Sequence, residues 1–104
     1  MDAMLVITNM PDRVRAAALA RKLVDLRLAA CVNIMAECES IYVWGGKTEM
    51  AQEVPLLIKT QSRHYREVEA AIVADHPYEL PEIVAVSITD GLPEYLRWIA
   101  SQTL

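Results

Sequence analysis

Gly45-Gly46 constrains this chain more than any other pair of residues. Two adjacent glycines can both take φ > 0 without strain, which is what a two-residue hairpin turn of the primed types demands. The residues before the pair, Ile41-Tyr42-Val43-Trp44, are strong strand formers, and Glu53 to Thr60 is expected to return as the partner strand. The arms of such a hairpin are longer than one small sheet requires. Long arms on a small domain predict pairing with another subunit. Pro55 cannot donate to a ladder, so it belongs at an edge, beside a bulge or away from pairing.

Around the hairpin the hydrophobic period alternates between strand and helix. Met4 to Thr8 is a short β-branched run expected as a buried central strand. Asp12 is a good N-cap for a helix to about Arg27, with Ala16, Leu19, Ala20, Leu23 and Leu26 on one face. Arg13, Arg21 and Lys22 fall mostly away from that stripe and are expected to be solvated. Cys31-Val32-Asn33-Ile34 alternates as a strand. Ser62 opens a second helix with Tyr65, Val68 and Ile72 inward, and Pro77 stops it. His64, near its start, is expected at the surface. Ile83 to Ile88 predicts another buried strand. Pro93 suits the first turn of a short last helix with Leu92, Tyr95, Leu96 and Ile99 along one stripe. The order β-α-β-β-α-β plus a terminal helix predicts a ferredoxin-like α+β sandwich. At 104 residues the chain makes one domain, 1–104.

Composition removes several function classes. The net charge of −4 argues against a nucleic-acid binder. No apolar run approaches the ~20 residues that cross a bilayer, and the first residues lack a signal-peptide pattern, so a cytoplasmic location is expected. Cys31 and Cys38 match neither a disulfide framework nor a zinc pattern. Cys38 lies between Glu37 and Glu39, a setting that discourages thiolate chemistry. No nucleotide, metalloprotease or nucleophile-elbow motif is present, and no organic cofactor is implied. The chain is read as a non-enzyme.

The polar groups that remain are few. His76-Pro77-Tyr78-Glu79-Leu80-Pro81-Glu82 is a stiff, extended connection carrying an imidazole, a phenol and two carboxylates. Helix-end capping accounts for His76 on structural grounds, and metal ligation or proton transfer are its functional alternatives. Cys31 and Asn33 point to one side of their strand. Lys59, beside Leu57 and Ile58, either snorkels or binds an anion. Trp44 is expected to pack at an interface.

Taken in order, Ala29-Ala30-Cys31-Val32-Asn33, Tyr42-x-Trp44-x-Gly46-Lys47, Glu53 leading to Ile58-Lys59-Thr60, the His76–Glu82 segment and Tyr95-Leu96-x-Trp98-Ile99 resemble the CutA divalent-cation tolerance family. The resemblance covers nearly the whole chain. It implies a ferredoxin-like subunit assembled as a homotrimer, with the Ile34–Val54 hairpin pairing edge to edge between subunits. It also implies an intersubunit cleft similar to that of PII-like signalling trimers. Polar positions expected near that cleft are Cys31, Asn33, Lys59, His76, Tyr78 and Glu79. Some relatives carry a thiol on the first strand that has been linked to copper; this chain has Thr8 there. Two uses of the cleft follow. One is a mixed site for copper or a similar divalent cation on His76, Cys31 and Glu79, which suit soft and borderline metals. The other is a small anionic ligand held by Asn33 and Lys59, with Tyr78.

Overall fold

A computed structural model describes residues 2–104, so Met1 lies outside the described residues. They form, in order, β1 (Ala3–Met10), α1 (Arg13–Asp25), β2 (Cys31–Ile34), β3 (Cys38–Trp44), β4 (Lys47–Gln61), a 3₁₀ turn (Ser62–His64), α2 (Tyr65–Asp75), β5 (Ile83–Ser87) and α3 (Pro93–Gln102). The sheet runs β2-β4-β1-β5, with β3 also pairing β4 and every pairing antiparallel. With β2 and β3 taken as one interrupted strand, this is the split βαβ order expected from the sequence.

One face of the sheet carries the main core. Val6 and Met10 of β1 and Val54, Leu56 and Ile58 of β4 pack against Ala16, Leu19, Ala20 and Leu23 of α1 and Val68 and Ile72 of α2. These are the alternate residues of each strand and the i, i+3, i+4 residues of each helix, so strand and helix periods meet on one surface. Lys22 of α1 bridges to Asp75 at the end of α2 at 3.2 Å. Arg13 and Arg21 are exposed as expected, and Arg13 also donates to the Met35 carbonyl at 3.0 Å.

Helix α1 stops at Asp25, two residues short of the expected end. Arg27 takes φ 59°, the Arg27 amide donates to the Val24 carbonyl at 2.9 Å, and the Leu28 amide donates to the Leu23 carbonyl at 3.0 Å. This is a Schellman stop built on arginine in place of glycine. It turns Leu28 into the core and leaves Leu26, expected on the buried stripe, exposed.

The return strand β4 begins at Lys47, directly after the turn, and not at Glu53. Gly45 and Gly46 take φ of 59° and 80°, the conformation the turn required of them. Lys47–Glu53 pairs with β3, while Val54–Gln61 pairs with β1. The ribbon projects, giving extents of 45 × 25 × 24 Å. Where it leaves the sheet, Ile34 faces Leu56 but Cys38 faces Glu53, so three residues oppose two. This is a β-bulge. Pro55 sits opposite it: its carbonyl accepts from the Met35 amide at 2.9 Å, and having no N–H it returns no bond.

Two burial expectations are corrected. His64 is 4% exposed and not a surface residue, because the segment after α3 folds back over it. Strand β5 is not fully buried: Ile83 and Ala85 pack against the core, but Val84 and Val86 are 48% and 51% exposed. The side of the sheet away from α1 and α2 is covered only in part, by α3, whose Ile99 is buried apart from the main core.

Candidate functional site

The polar residues singled out by sequence fall into two groups. The first lies on the side of the sheet away from α1 and α2. Val32 and Ile34 pack toward the core, so Cys31 and Asn33 take the other side. Cys31 faces Lys59 across the ladder, and Asn33 faces Leu57. Cys31 is half-buried and its thiol is free, while Asn33 is exposed. Lys59 holds its ammonium 5.7 Å above the ring of Tyr95, which α3 supplies from above. A lysine over a phenol ring gains cation–π attraction and keeps its charge available. Among the described residues it forms no salt bridge.

The second group is the loop after α2. His76 ends the helix in an extended conformation, and its amide donates to the Ile72 carbonyl at 2.9 Å. Its ring is buried. Nε2 contacts the Asn9 carbonyl at 2.6 Å, and Nδ1 accepts the Tyr78 amide at 3.2 Å. The pattern of one donor and one acceptor fits the neutral Nε2–H tautomer. The Tyr78 ring stands 4.7 Å from the imidazole. Farther along, the Thr8 hydroxyl donates to the Glu82 carbonyl at 2.7 Å, and the Asn9 amide group donates to the Glu82 carboxylate at 3.1 Å. The loop is therefore fastened at four points, three of them to the last residues of β1. Thr8 serves as one of these anchors. Burial, and next the Glu53 carboxylate, push the Tyr78 phenol above its ordinary range. Glu79 points into solvent.

The two groups do not meet within the chain. Cys31 reaches β1 through Lys59 at Leu5, whereas His76 sits at Asn9, four residues or about 13 Å farther along the strand. Among the described residues no three His, Cys, Asp or Glu side chains gather closely enough to hold a metal ion. His76, Cys31 and Glu79 thus form no metal cluster within the chain, and both His76 nitrogens are engaged. Tyr78 belongs with His76, away from Asn33 and Lys59.

Sequence reasoning missed three contributors: Asn9, the buried Glu53 and Tyr95 as the partner of Lys59. Asn9 had a signal, since a polar residue ending an apolar strand just before Pro11 needs a partner.

The family described as CutA1 divalent ion tolerance protein matches residues 4–102. A divalent-cation tolerance protein CutA of Thermus thermophilus is 42% identical over 99 residues, covering 95% of this chain and 96% of the relative. Among solved structures, CutA from Xylella fastidiosa superposes with a TM-score of 0.95 at 44% identity, covering 98% of each chain. CutA1 from Oryza sativa gives 0.97 at 33% identity, covering 100% of this chain and 95% of that one.

Proposed function

Given that this chain belongs to the CutA1 divalent ion tolerance family, we propose that it works as a homotrimer that takes up copper or a similar divalent cation between its subunits. The family match carries the tolerance role. The projecting ribbon is the observation that favours assembly. Ile41 and Val43 are 70% and 69% exposed on one side of the ribbon, with Met50 paired to Ile41, and Trp44 stands out on the other side. The outer edges of β3 and β5 have no strand partner among the described residues. Bare edges with exposed apolar side chains call for a covering surface.

Assembly also bears on the metal. Cys31, His76 and Glu79 are separate in one subunit, so a mixed thiolate, imidazole and carboxylate site draws its donors from neighbouring copies. His76 joins that site only by giving up the Tyr78 amide, which occupies its lone pair. The reading involves no catalytic step, no organic cofactor, and neither nucleic acid nor membrane. Calorimetric titration of the chelator-stripped protein with copper and with zinc tests it, run beside Cys31→Ser, His76→Ala and Glu79→Gln. Saturable binding weakened by these changes is expected; heats that are absent, or untouched by all three, refute the site. Light scattering showing a monomer at micromolar concentration refutes the trimer.

A second reading rests on the Lys59–Tyr95 pair, an ammonium without a salt-bridge partner among the described residues, two residues across the ladder from exposed Asn33. That pairing suits a small anion in the cleft. Thermal shifts with nucleotides and carboxylates distinguish it, and no stabilisation at millimolar ligand removes it.

A further inference from the structure

The cation and anion readings leave Glu53 without a role, although it is the one carboxylate that the fold buries among the described residues, at 8% exposed. A buried carboxylate loses its hydration and needs a positive charge or a metal ion to offset the loss. The chain supplies neither. Among the described residues no lysine, arginine or histidine nitrogen bridges to Glu53, and no cluster of metal-binding side chains forms around it. The Tyr78 phenol beside it, whose ionisation is opposed by burial and then by this carboxylate, stays neutral. A neutral phenol does not balance the charge.

A positive charge in the converse position lies on the same strand. Most lysines and arginines are exposed; the half-buried ones are Lys22, which bridges to Asp75, and Lys59, which has no carboxylate partner among the described residues. Glu53 and Lys59 have the same parity on β4, so both stand on the side away from α1 and α2. Six residues separate them, about 20 Å of strand, so they do not meet within the chain. The surface they bracket is apolar. Leu57 lies between them, Leu5 and Ile7 flank it on β1, and Val84 and Val86 on β5 are 48% and 51% exposed. A stripe of that kind, with an anion at one end and a cation at the other, is complementary to a second copy of itself.

We propose that Lys59 of one copy pairs with Glu53 of the next, so that each buried carboxylate receives its cation from outside its own chain. This pairing rests on the homotrimer proposed above and names a residue that the neighbour contributes. In a ring each copy gives one lysine and receives one, so three copies form three identical pairs. The Glu53 carboxylate then takes the place at Lys59 that the second reading gives to a free anion, with Tyr95 backing the ammonium. A copy that docks out of register leaves a buried carboxylate without its cation and is disfavoured on that ground.

A double-mutant cycle on the full chain tests the pair. Wild type, Glu53→Gln, Lys59→Met and the double variant are heated at one protein concentration while light scattering follows loss of the assembly. Residues about 20 Å apart in one chain change stability independently, so coupling between these two arises across a subunit contact. Each single substitution should lower the midpoint by about 5 °C or more, and the double by no more than the larger single. Falls that add in the double, or singles that leave the midpoint unchanged, overturn the pair while the trimer stands. A wild type that scatters as a monomer before heating refutes the assembly itself, and the pair with it.

Discussion

Replacing His76 with alanine removes the pin at the centre of the loop from Pro77 to Glu82, and the cost can be worked from its contacts. The ring is 9% exposed and bonds the Asn9 carbonyl at 2.6 Å. Asn9 is itself buried, so its carbonyl loses a partner that water replaces poorly, a cost of about 1–3 kcal/mol. The Tyr78 amide, on an exposed stretch of loop, turns to solvent at little cost. Lost packing of the imidazole against Tyr78 adds about 1 kcal/mol. The total is about 2–4 kcal/mol, read as a lower urea midpoint at fixed protein concentration with an unchanged m-value. A loss below about 0.5 kcal/mol would refute the reasoning and assign the loop's hold to the Glu82 anchors alone. The same experiment guards the copper titration, because lost affinity in His76→Ala is informative only where the variant remains folded.

Alanine at Gly45 or Gly46 meets no atom within 4 Å, so its cost is conformational only, about 1 kcal/mol at each position, visible as a lower Tm for each variant. The raised Tyr78 phenol has a sign that can be followed: the fold favours the neutral form, so its contribution is complete below about pH 10 and disappears as pH climbs toward the folded value. Tyr65, raised chiefly by its hydrogen bond to Glu69, adds in the same direction. Stability measured from pH 9 to 11 should therefore fall more steeply in the wild type than in Tyr78→Phe, and equal slopes would contradict the assignment.

Much of this architecture was legible because it rests on local chemistry. The turn at Gly45-Gly46, the N-cap at Asp12, which accepts the Arg15 amide at 2.8 Å, and the common side of Cys31 and Asn33 each follow from residue type and spacing. The Schellman stop was hidden because its left-handed position is Arg27, and only a glycine there would have announced it. Ile83 to Ile88 reads as a buried run whether the cover comes from the same chain or from another, so the half-bare face of β5 had no separate signal. The loop illustrates the larger limit. Its polar content was plain, but Thr8 and Asn9 bond Glu82 across 74 and 73 positions of chain, and no local pattern encodes such a pairing.

The bulge opposite Pro55 carries a consequence for how a ribbon of this kind can change in length. Register sums shift by one across it, so Cys38, Ser40, Tyr42 and Trp44 share the side taken by Cys31 and Asn33, despite their opposite parity in sequence. Removing one residue from 35–37 would let the two strands oppose each other residue for residue and abolish the kink. The pairing of Tyr42 with Glu49 and Trp44 with Lys47 would keep both side chains on the same face. Matched insertions of two residues in each arm would lengthen the reach by two rungs and preserve both faces. The bulge thus absorbs the one residue by which the two arms differ: matched growth in even steps keeps both faces, while an unmatched residue in one arm is taken up as a kink and leaves the offered surface in place.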